Sequence, residues 1–96
     1  MSVADALMLH ASDTVAVMLR DVAAGARVRI RNGDRFTEVT AREPIPLGHK
    51  MAVIAAAEGA AVMKYGSVIA LASRTLSPGD HVHIHNIVSQ RVSRRS

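Results

Sequence analysis

The chain contains no cysteine and no tryptophan, and its only aromatic side chains are Phe36 and Tyr65. Without thiols it can form neither disulfides nor thiolate metal sites, which fits a cytoplasmic location. The net charge of +4 is a weak indication of nucleic-acid binding, because no aromatic platform accompanies the basic residues. Without Arg91, Arg94 and Arg95, nine basic side chains face eight acidic ones. We therefore expect a solvated polar surface and no nucleic-acid partner.

Long apolar runs are also missing. No apolar stretch reaches the roughly 18 residues that a membrane span needs, and no basic segment precedes an apolar run near the N-terminus. We expect neither a membrane anchor nor a signal peptide. The 96 residues are enough for one domain, in which Ala and Val dominate the apolar residues. Because small side chains gain little from burial, we expect a partner, or a second copy of the isolated chain, to cover part of the surface.

The pattern along the chain predicts an all-β domain of short strands and tight turns. Asn32-Gly33 stands between two alternating segments and predicts a hairpin with these two residues at the centre of a type I′ turn. Pro44 and Pro46 interrupt regular pairing, and Gly59 argues for a turn rather than a helix in the alanine-rich segment around it. The predicted strands lie within residues 14–22, 27–31, 35–41, 49–55 and 65–72.

One turn design occurs four times. A glycine has an apolar residue three positions before it and another three positions after it, as expected where a strand restarts after a special backbone angle. The copies are Val22–Gly25–Val28, Ile45–Gly48–Met51, Ala56–Gly59–Val62 and Leu76–Gly79–Val82. Their uneven spacing excludes a solenoid.

Three of the five histidines alternate along residues 81–85. On a strand, His81, His83 and His85 would share one face. Neutral imidazoles there can ligate a transition metal, protonated ones can hold an anion, and either can move protons near neutral pH. Two neighbouring imidazoles can converge on one ion, and a third ligand usually comes from another segment. A polar face packed against a partner is the plain alternative.

Three motifs occur in order: IPLGHK at 45–50, KYG at 64–66 and GDHVHIHN at 79–86. Together they resemble the small SAF-type domain of the altronate/galactarate dehydratase family, which includes sulfolactate sulfo-lyase. The resemblance covers residues 10–88. It implies a β-clip fold, here assigned to residues 1–88. The Ser- and Arg-rich composition of residues 89–96 predicts a basic flexible tail.

The resemblance further implies a β-eliminating lyase that acts on a sugar acid or related hydroxy acid with a divalent metal, Fe²⁺. The large catalytic domain of the family is missing here. The chain is thus expected to be a small subunit that completes the active site of a large subunit and is inactive alone, or an excised domain. Its Arg94-Arg95-Ser96 ending favours the subunit. The alternative is a non-enzymatic module that binds a carbohydrate or a protein.

Each motif supplies candidate site residues with a structural alternative. His49 and Lys50 offer an acid or base and a carboxylate-binding cation, unless they form a plain surface loop. Lys64 and Tyr65 offer a cation and a phenol for an oxyanion, unless they only pack. Asn86 faces away from the histidines or caps the strand end. His10 and Asp13 are ordinary surface residues by pattern, although an early histidine commonly opens the domain in this family. The predicted sets are catalytic His49, Lys50, Lys64 and Tyr65; substrate-binding His83 and Asn86; and metal-binding His81, His83 and His85.

Overall fold

The computed structural model describes residues 3–83 and 85–89. All regular structure in these ranges is β, which confirms the all-β prediction and agrees with a small SAF-type β-clip domain. This part of the chain holds no helix long and apolar enough to cross a membrane. The strands are β1 (Ala6–Met8), β2 (Val15–Met18), β3 (Arg27–Asn32), β4 (Arg35–Thr40), β5 (Lys50–Ala52), β6 (Ala61–Lys64), β7 (Ser67–Ala72), β8 (His81–Val82) and β9 (Ile87–Ser89).

The strands form two sheets. The larger has the order β4-β3-β1-β2-β5-β8, and the smaller has the order β6-β7-β9. Neighbours are antiparallel except β1 and β3, which run parallel. Strands β2 and β5 divide two apolar cores, because alternate residues point to opposite faces. Ala16, Met18 and Met51 pack in the first core, whereas Val15 and Ala52 pack in the second.

The four glycine turns belong to two structural repeats. In the first, Val22 and Ile45 exchange backbone hydrogen bonds of 3.0 Å around the β3–β4 hairpin. In the second, Ala56 and Leu76 do the same around β6–β7, at 3.0 and 2.7 Å. All four glycines have positive φ, between 83° and 97°. The predicted turn design is therefore confirmed.

The repeats bring two distant segments side by side. The Gly48 turn leads into β5, and the Gly79 turn leads into β8. The glycine amides make equivalent bonds, Gly48 to the carbonyl of Met18 (2.9 Å) and Gly79 to that of Ala52 (2.8 Å). Strands β5 and β8 are therefore antiparallel neighbours, with Met51 opposite His81.

Several strand and turn boundaries differ from the predicted ones. The hairpin between β3 and β4 is confirmed, but its two-residue turn is Gly33-Asp34, because Asn32 pairs with Arg35. Only Gly33 has positive φ there (63°), which is typical of a type II′ turn rather than type I′. The predicted strands at 14–22, 49–55 and 65–72 are shorter, and β1, β6 and β9 were not predicted. Of the predicted tail 89–96, the first residue ends β9, and 90–96 lie outside the described residues.

We expect Gly79→Ala to be the most damaging of the glycine-turn substitutions. An added methyl would overlap the carbonyl oxygen of Thr40, in addition to the strain of an alanine at φ +97°. At Gly59, with φ +87°, a methyl meets nothing within 4 Å. Gly59→Ala should therefore lower the free energy of unfolding only by the cost of an alanine at positive φ, about 1–2 kcal/mol. Gly79→Ala should lower it by about 3 kcal/mol or more. Equal losses in urea unfolding of the two variants would contradict the close contact.

We also expect Asp5 to contribute to acid sensitivity. A hydrogen bond from Arg20 (2.7 Å), followed by the backbone amide of Arg29, holds the pKa of Asp5 below its ordinary 3.8, although burial acts the other way. Because the folded pKa is lowered, this stabilisation is complete above about pH 5, well above the unfolded value, and is lost as the pH falls through the folded value. Urea midpoints measured from pH 5 to 2 should fall less steeply for Asp5→Asn than for the unchanged protein. An unchanged slope would exclude the contribution.

Candidate functional site: an imidazole cluster and a tyrosine turn

Four histidine rings gather at the β5–β8 end of the larger sheet. The imidazole cluster comprises His49, His81, His83 and His85. The ring centroid of His81 lies 5.0 Å from that of His49, 5.3 Å from His83 and 5.6 Å from His85. The rings of His81 and His83 are stacked, with 11° between their planes. The three histidines of the alternating segment thus project together as predicted, and His49 joins them from the Gly48 turn.

The backbone behind this arrangement differs from the predicted one. Strand β8 ends at Val82, so a regular strand through residue 85 is wrong. The chain turns instead, with the amide of Asn86 donating to the carbonyl of His83 at 3.0 Å. The buried Asn86 side chain accepts from the amide of His83 (2.9 Å) and donates to the carbonyl of His81 (2.7 Å). Of the two predicted orientations, Asn86 therefore adopts the one that caps the strand end.

Three of the rings can converge on one ion. One nitrogen from each of His49, His81 and His83 lies within 4.8 Å of the other two. Imidazole nitrogens at about 2.0–2.1 Å from a metal are separated by roughly 3.0–3.4 Å, so binding would draw these nitrogens somewhat closer together than the 4.8 Å limit found here. His49 Nδ1 and His81 Nε2 are already 2.8 Å apart, joined by a hydrogen bond that metal binding would replace. The three potential ligands in the structure therefore include His49, whereas the predicted metal-binding set included His85 in its place.

The surroundings of His81 favour its neutral form. Burial, followed by the nearby charges of His49 and His83, lowers the pKa of His81 below 6.5, whereas Glu43 acts to raise it. Glu43 also accepts the backbone amide of His81 at 3.0 Å. A neutral imidazole keeps a lone pair for a metal, so this environment suits metal binding better than anion binding at His81.

The cationic candidates form a second group. Burial, together with the charge of Lys64, lowers the pKa of Lys50. The Lys64 Nζ lies 4.5 Å from the ring centroid of Tyr65, a cation–π contact. Lys50 is paired in register with Val82, the residue between His81 and His83. His49 and Lys50 thus belong to different groups, as their adjacent positions imply.

Sequence reasoning missed Asp13, which pattern assigned to the surface. Asp13 is only 3% exposed. Its Oδ2 accepts the amides of Leu9 and His10, both at 3.2 Å, and its Oδ1 accepts that of Gly66 at 2.9 Å. His10 was a weaker candidate. Its ring packs against Gly66, and its Nδ1 lies 2.8 Å from Ser12 Oγ. The one available signal was an acidic residue three positions after a histidine, which is common on surfaces.

The fold and the two side-chain groups define a small all-β domain with a histidine-bearing face. Residues 4–90 match the family model for the altronate/galactarate dehydratase SAF domain. The chain therefore belongs to that SAF-domain family, and the predicted family membership is confirmed.

Named relatives fall into two types. The chain is 42% identical over 80 residues to altronate dehydratase of Escherichia coli K12, covering 83% of this chain and 15% of that protein. It is 32% identical over 90 residues to the (2R)-sulfolactate sulfo-lyase subunit alpha of Chromohalobacter salexigens, covering 91% of this chain and 96% of that subunit. The corresponding alpha subunit of Paracoccus pantotrophus is 40% identical over 53 residues, 55% of this chain and 79% of that protein. The chain thus spans about a seventh of the altronate dehydratase but nearly all of the Chromohalobacter alpha subunit.

We expect Asn86→Ala to loosen the imidazole cluster. The variant leaves the amide of His83 and the carbonyl of His81 without their side-chain partner, at a cost of about 1–3 kcal/mol. Asn86→Asp should not restore the cap, because its carboxylate still accepts from His83 but opposes the carbonyl oxygen of His81 in a buried site. Urea unfolding and the imidazole ¹⁵N resonances of the full chain would measure both effects.

Asn32→Ala is the matched control, since the Asn32 amide makes only a 4.0 Å contact with the sulfur of Met8. It should leave the imidazole resonances in place. Asn86→Ala with unshifted imidazole resonances would show that the cap does not hold the rings.

Proposed function

We propose that this chain is the small subunit, or small domain, of a metal-dependent lyase that eliminates water or sulfite from a hydroxy acid. Its active site would be completed by a larger catalytic polypeptide. The observation that carries the proposal is the convergence of His49, His81 and His83, with ligand nitrogens within 4.8 Å of one another. The names of its relatives, a dehydratase and a sulfo-lyase subunit, support the reaction class.

The donor set fits a divalent transition metal. Imidazole nitrogens suit Fe, Zn, Ni or Cu, and three of them leave coordination positions for a substrate or a partner's carboxylate. We favour Fe²⁺, as the resemblance implies, with further ligands on the partner. Such a metal would act as a Lewis acid toward the negative charge that develops when the proton beside a carboxylate is removed.

The remaining residues take roles in binding and proton transfer. In this proposal a base of the partner removes the proton at the carbon next to the carboxylate, and the electron pair then expels the leaving group from the neighbouring carbon. Lys50 and Lys64 attract the substrate carboxylate, and the Tyr65 phenol donates to the developing oxyanion. His83 faces solvent at the edge of the imidazole cluster, where it would also touch substrate. His85, outside the ligand triad, would donate a proton to a departing hydroxyl so that it leaves as water.

Asn86 takes a different part from the predicted one in this scheme. Both polar atoms of its side chain already bond the backbone of His81 and His83. We therefore assign it the positioning of the two rings. Direct contact of Asn86 with substrate stays an untested prediction.

The central test is reconstitution with a large catalytic polypeptide of the same family. We expect activity on sugar acids or sulfolactate only when both chains are mixed, with water or sulfite as the released group. A non-enzymatic module would instead bind a carbohydrate or protein ligand alone, with no elimination in the mixture.

Single variants then test the triad. His49→Ala, His81→Ala and His83→Ala should each weaken metal retention by the complex at least tenfold, measured by equilibrium dialysis with metal analysis. His85→Ala is the matched control, because it removes a clustered imidazole that lies outside the triad. Its complex should retain metal and lose only turnover. Full metal content and activity in the His81→Ala/His83→Ala complex would refute the proposed site.

A further inference from the structure

The turn that carries Tyr65 has an unfavourable backbone. Tyr65 and Gly66 form a two-residue connection between β6 and β7, with φ of +56° and +76°. Two successive positive φ values define a type I′ turn, where asparagine or glycine usually stands first. A bulky L-residue in this region costs about 1 kcal/mol or more. Tyr65 is the only non-glycine residue with positive φ among the described residues.

Packing of the Tyr65 side chain does not offset the free-energy cost of this backbone conformation. The residue is 53% exposed, so its ring gains little from burial. The cation–π contact with Lys64 also lies near the surface, where such contacts contribute about 0.5–1 kcal/mol. A strained, exposed tyrosine indicates that the position of the ring is being maintained by the surrounding structure.

The surrounding structure holds this turn from beneath through Asp13. The Asp13 carboxylate accepts the amide of Gly66 at 2.9 Å, and the neighbouring Tyr65 amide also acts to lower the pKa of Asp13. Its other oxygen accepts from Leu9 and His10, so one buried carboxylate joins the 9–13 loop to the β6–β7 turn. Burial acts to raise the pKa of Asp13, but these four amides outweigh it and lower the pKa below 3.8.

Two further contacts fix the same junction. Thr14 exchanges backbone and side-chain hydrogen bonds with Met63, both at 3.0 Å, just before Lys64. The ring of His10 packs so closely on Gly66 that an added methyl there would lie 2.9 Å from His10 Cδ2. The position of the turn is therefore determined from both of its sides.

We propose that Asp13 is a positioning residue, which holds the Tyr65 turn so that the phenol meets the substrate oxyanion in the working orientation. The inference rests on the proposed function, in which Tyr65 is the donor. Asp13 itself lies under the turn and acts only through it. The two carboxylate oxygens of Asp13 now share these backbone amides between them. An asparagine at position 13 has only one oxygen that can accept, and its NH₂ group would face the remaining amides, donor against donor.

A structural experiment on the full chain tests the first half of the proposal. Tyr65 is the only tyrosine and there is no tryptophan, so tyrosine emission reports position 65 alone. Asp13→Asn should lower the emission anisotropy and accelerate hydrogen exchange of the Gly66 amide at least tenfold. Asp5→Asn is the matched control, because Asp5 also accepts a backbone amide, that of Arg29, in another part of the fold. Unchanged anisotropy and exchange in Asp13→Asn would overturn the proposal, whatever the activity.

A double-mutant cycle in the reconstituted complex tests the second half. Asp13→Asn should lower kcat at least tenfold with a smaller change in KM, and it should change kcat less than twofold when Tyr65→Phe is already present. Equal losses in both backgrounds, or full activity of Tyr65→Phe, would overturn the proposal. If Asp13→Asn does not fold, Gly66→Ala displaces the same turn through His10 and must show the same dependence on Tyr65. The two proposals can fail separately. If the anisotropy and hydrogen exchange change as expected in Asp13→Asn but the reconstituted complex has no lyase activity, only the proposed function is contradicted.

Discussion

The pairing of β5 with β8 is the interaction on which the candidate site depends. These strands contribute only three and two residues, yet their register places His81 opposite Met51, two residues from His49. Each strand begins after a glycine turn that returns the chain to the same sheet. If either turn failed, the imidazoles of His49 and His81 would separate, since no other described segment ties them together so directly. This dependence connects the backbone freedom of Gly48 and Gly79 to the chemistry of the imidazole cluster.

The common projection of the alternating histidines was predicted from a regular strand, but the structure produces it in a different way. The prediction that His81, His83 and His85 project together is confirmed, although the strand that motivated it ends at Val82. The rings stay together because Asn86 fixes the turn that follows. That His49 belongs to the imidazole cluster was harder to predict, because it depends on the pairing of two segments about thirty residues apart. Sequence reasoning expected a third ligand from elsewhere, but had no physical means of choosing it.

Asp13 and β1 show where local pattern is insufficient. An aspartate in a loop is ordinarily solvated, and nothing near Asp13 in the sequence indicates that its partners include Gly66, some fifty residues away. Strand β1 has three residues and no turn signal of its own, so its pairing with β2 and β3 is a property of the assembled sheet. The hairpin turn lies one residue further along the chain than predicted, for a related reason. The cross-strand pair of Asn32 with Arg35 determines its register, and Gly33 supplies positive φ in either arrangement.

Asp13 and Asn86 are the buried polar side chains of the described residues, each 3% exposed. A buried polar group is costly unless it is hydrogen-bonded, so such residues persist where their bonds determine a structure that apolar packing cannot. Asn86 bonds the backbone on either side of Val82 and thereby orients two imidazoles. Asp13 bonds the backbone of the Tyr65 turn and thereby fixes the strained backbone that carries the phenol. Both buried polar groups thus act on the backbone of candidate site residues, His81 and His83 in one case and the Tyr65 turn in the other.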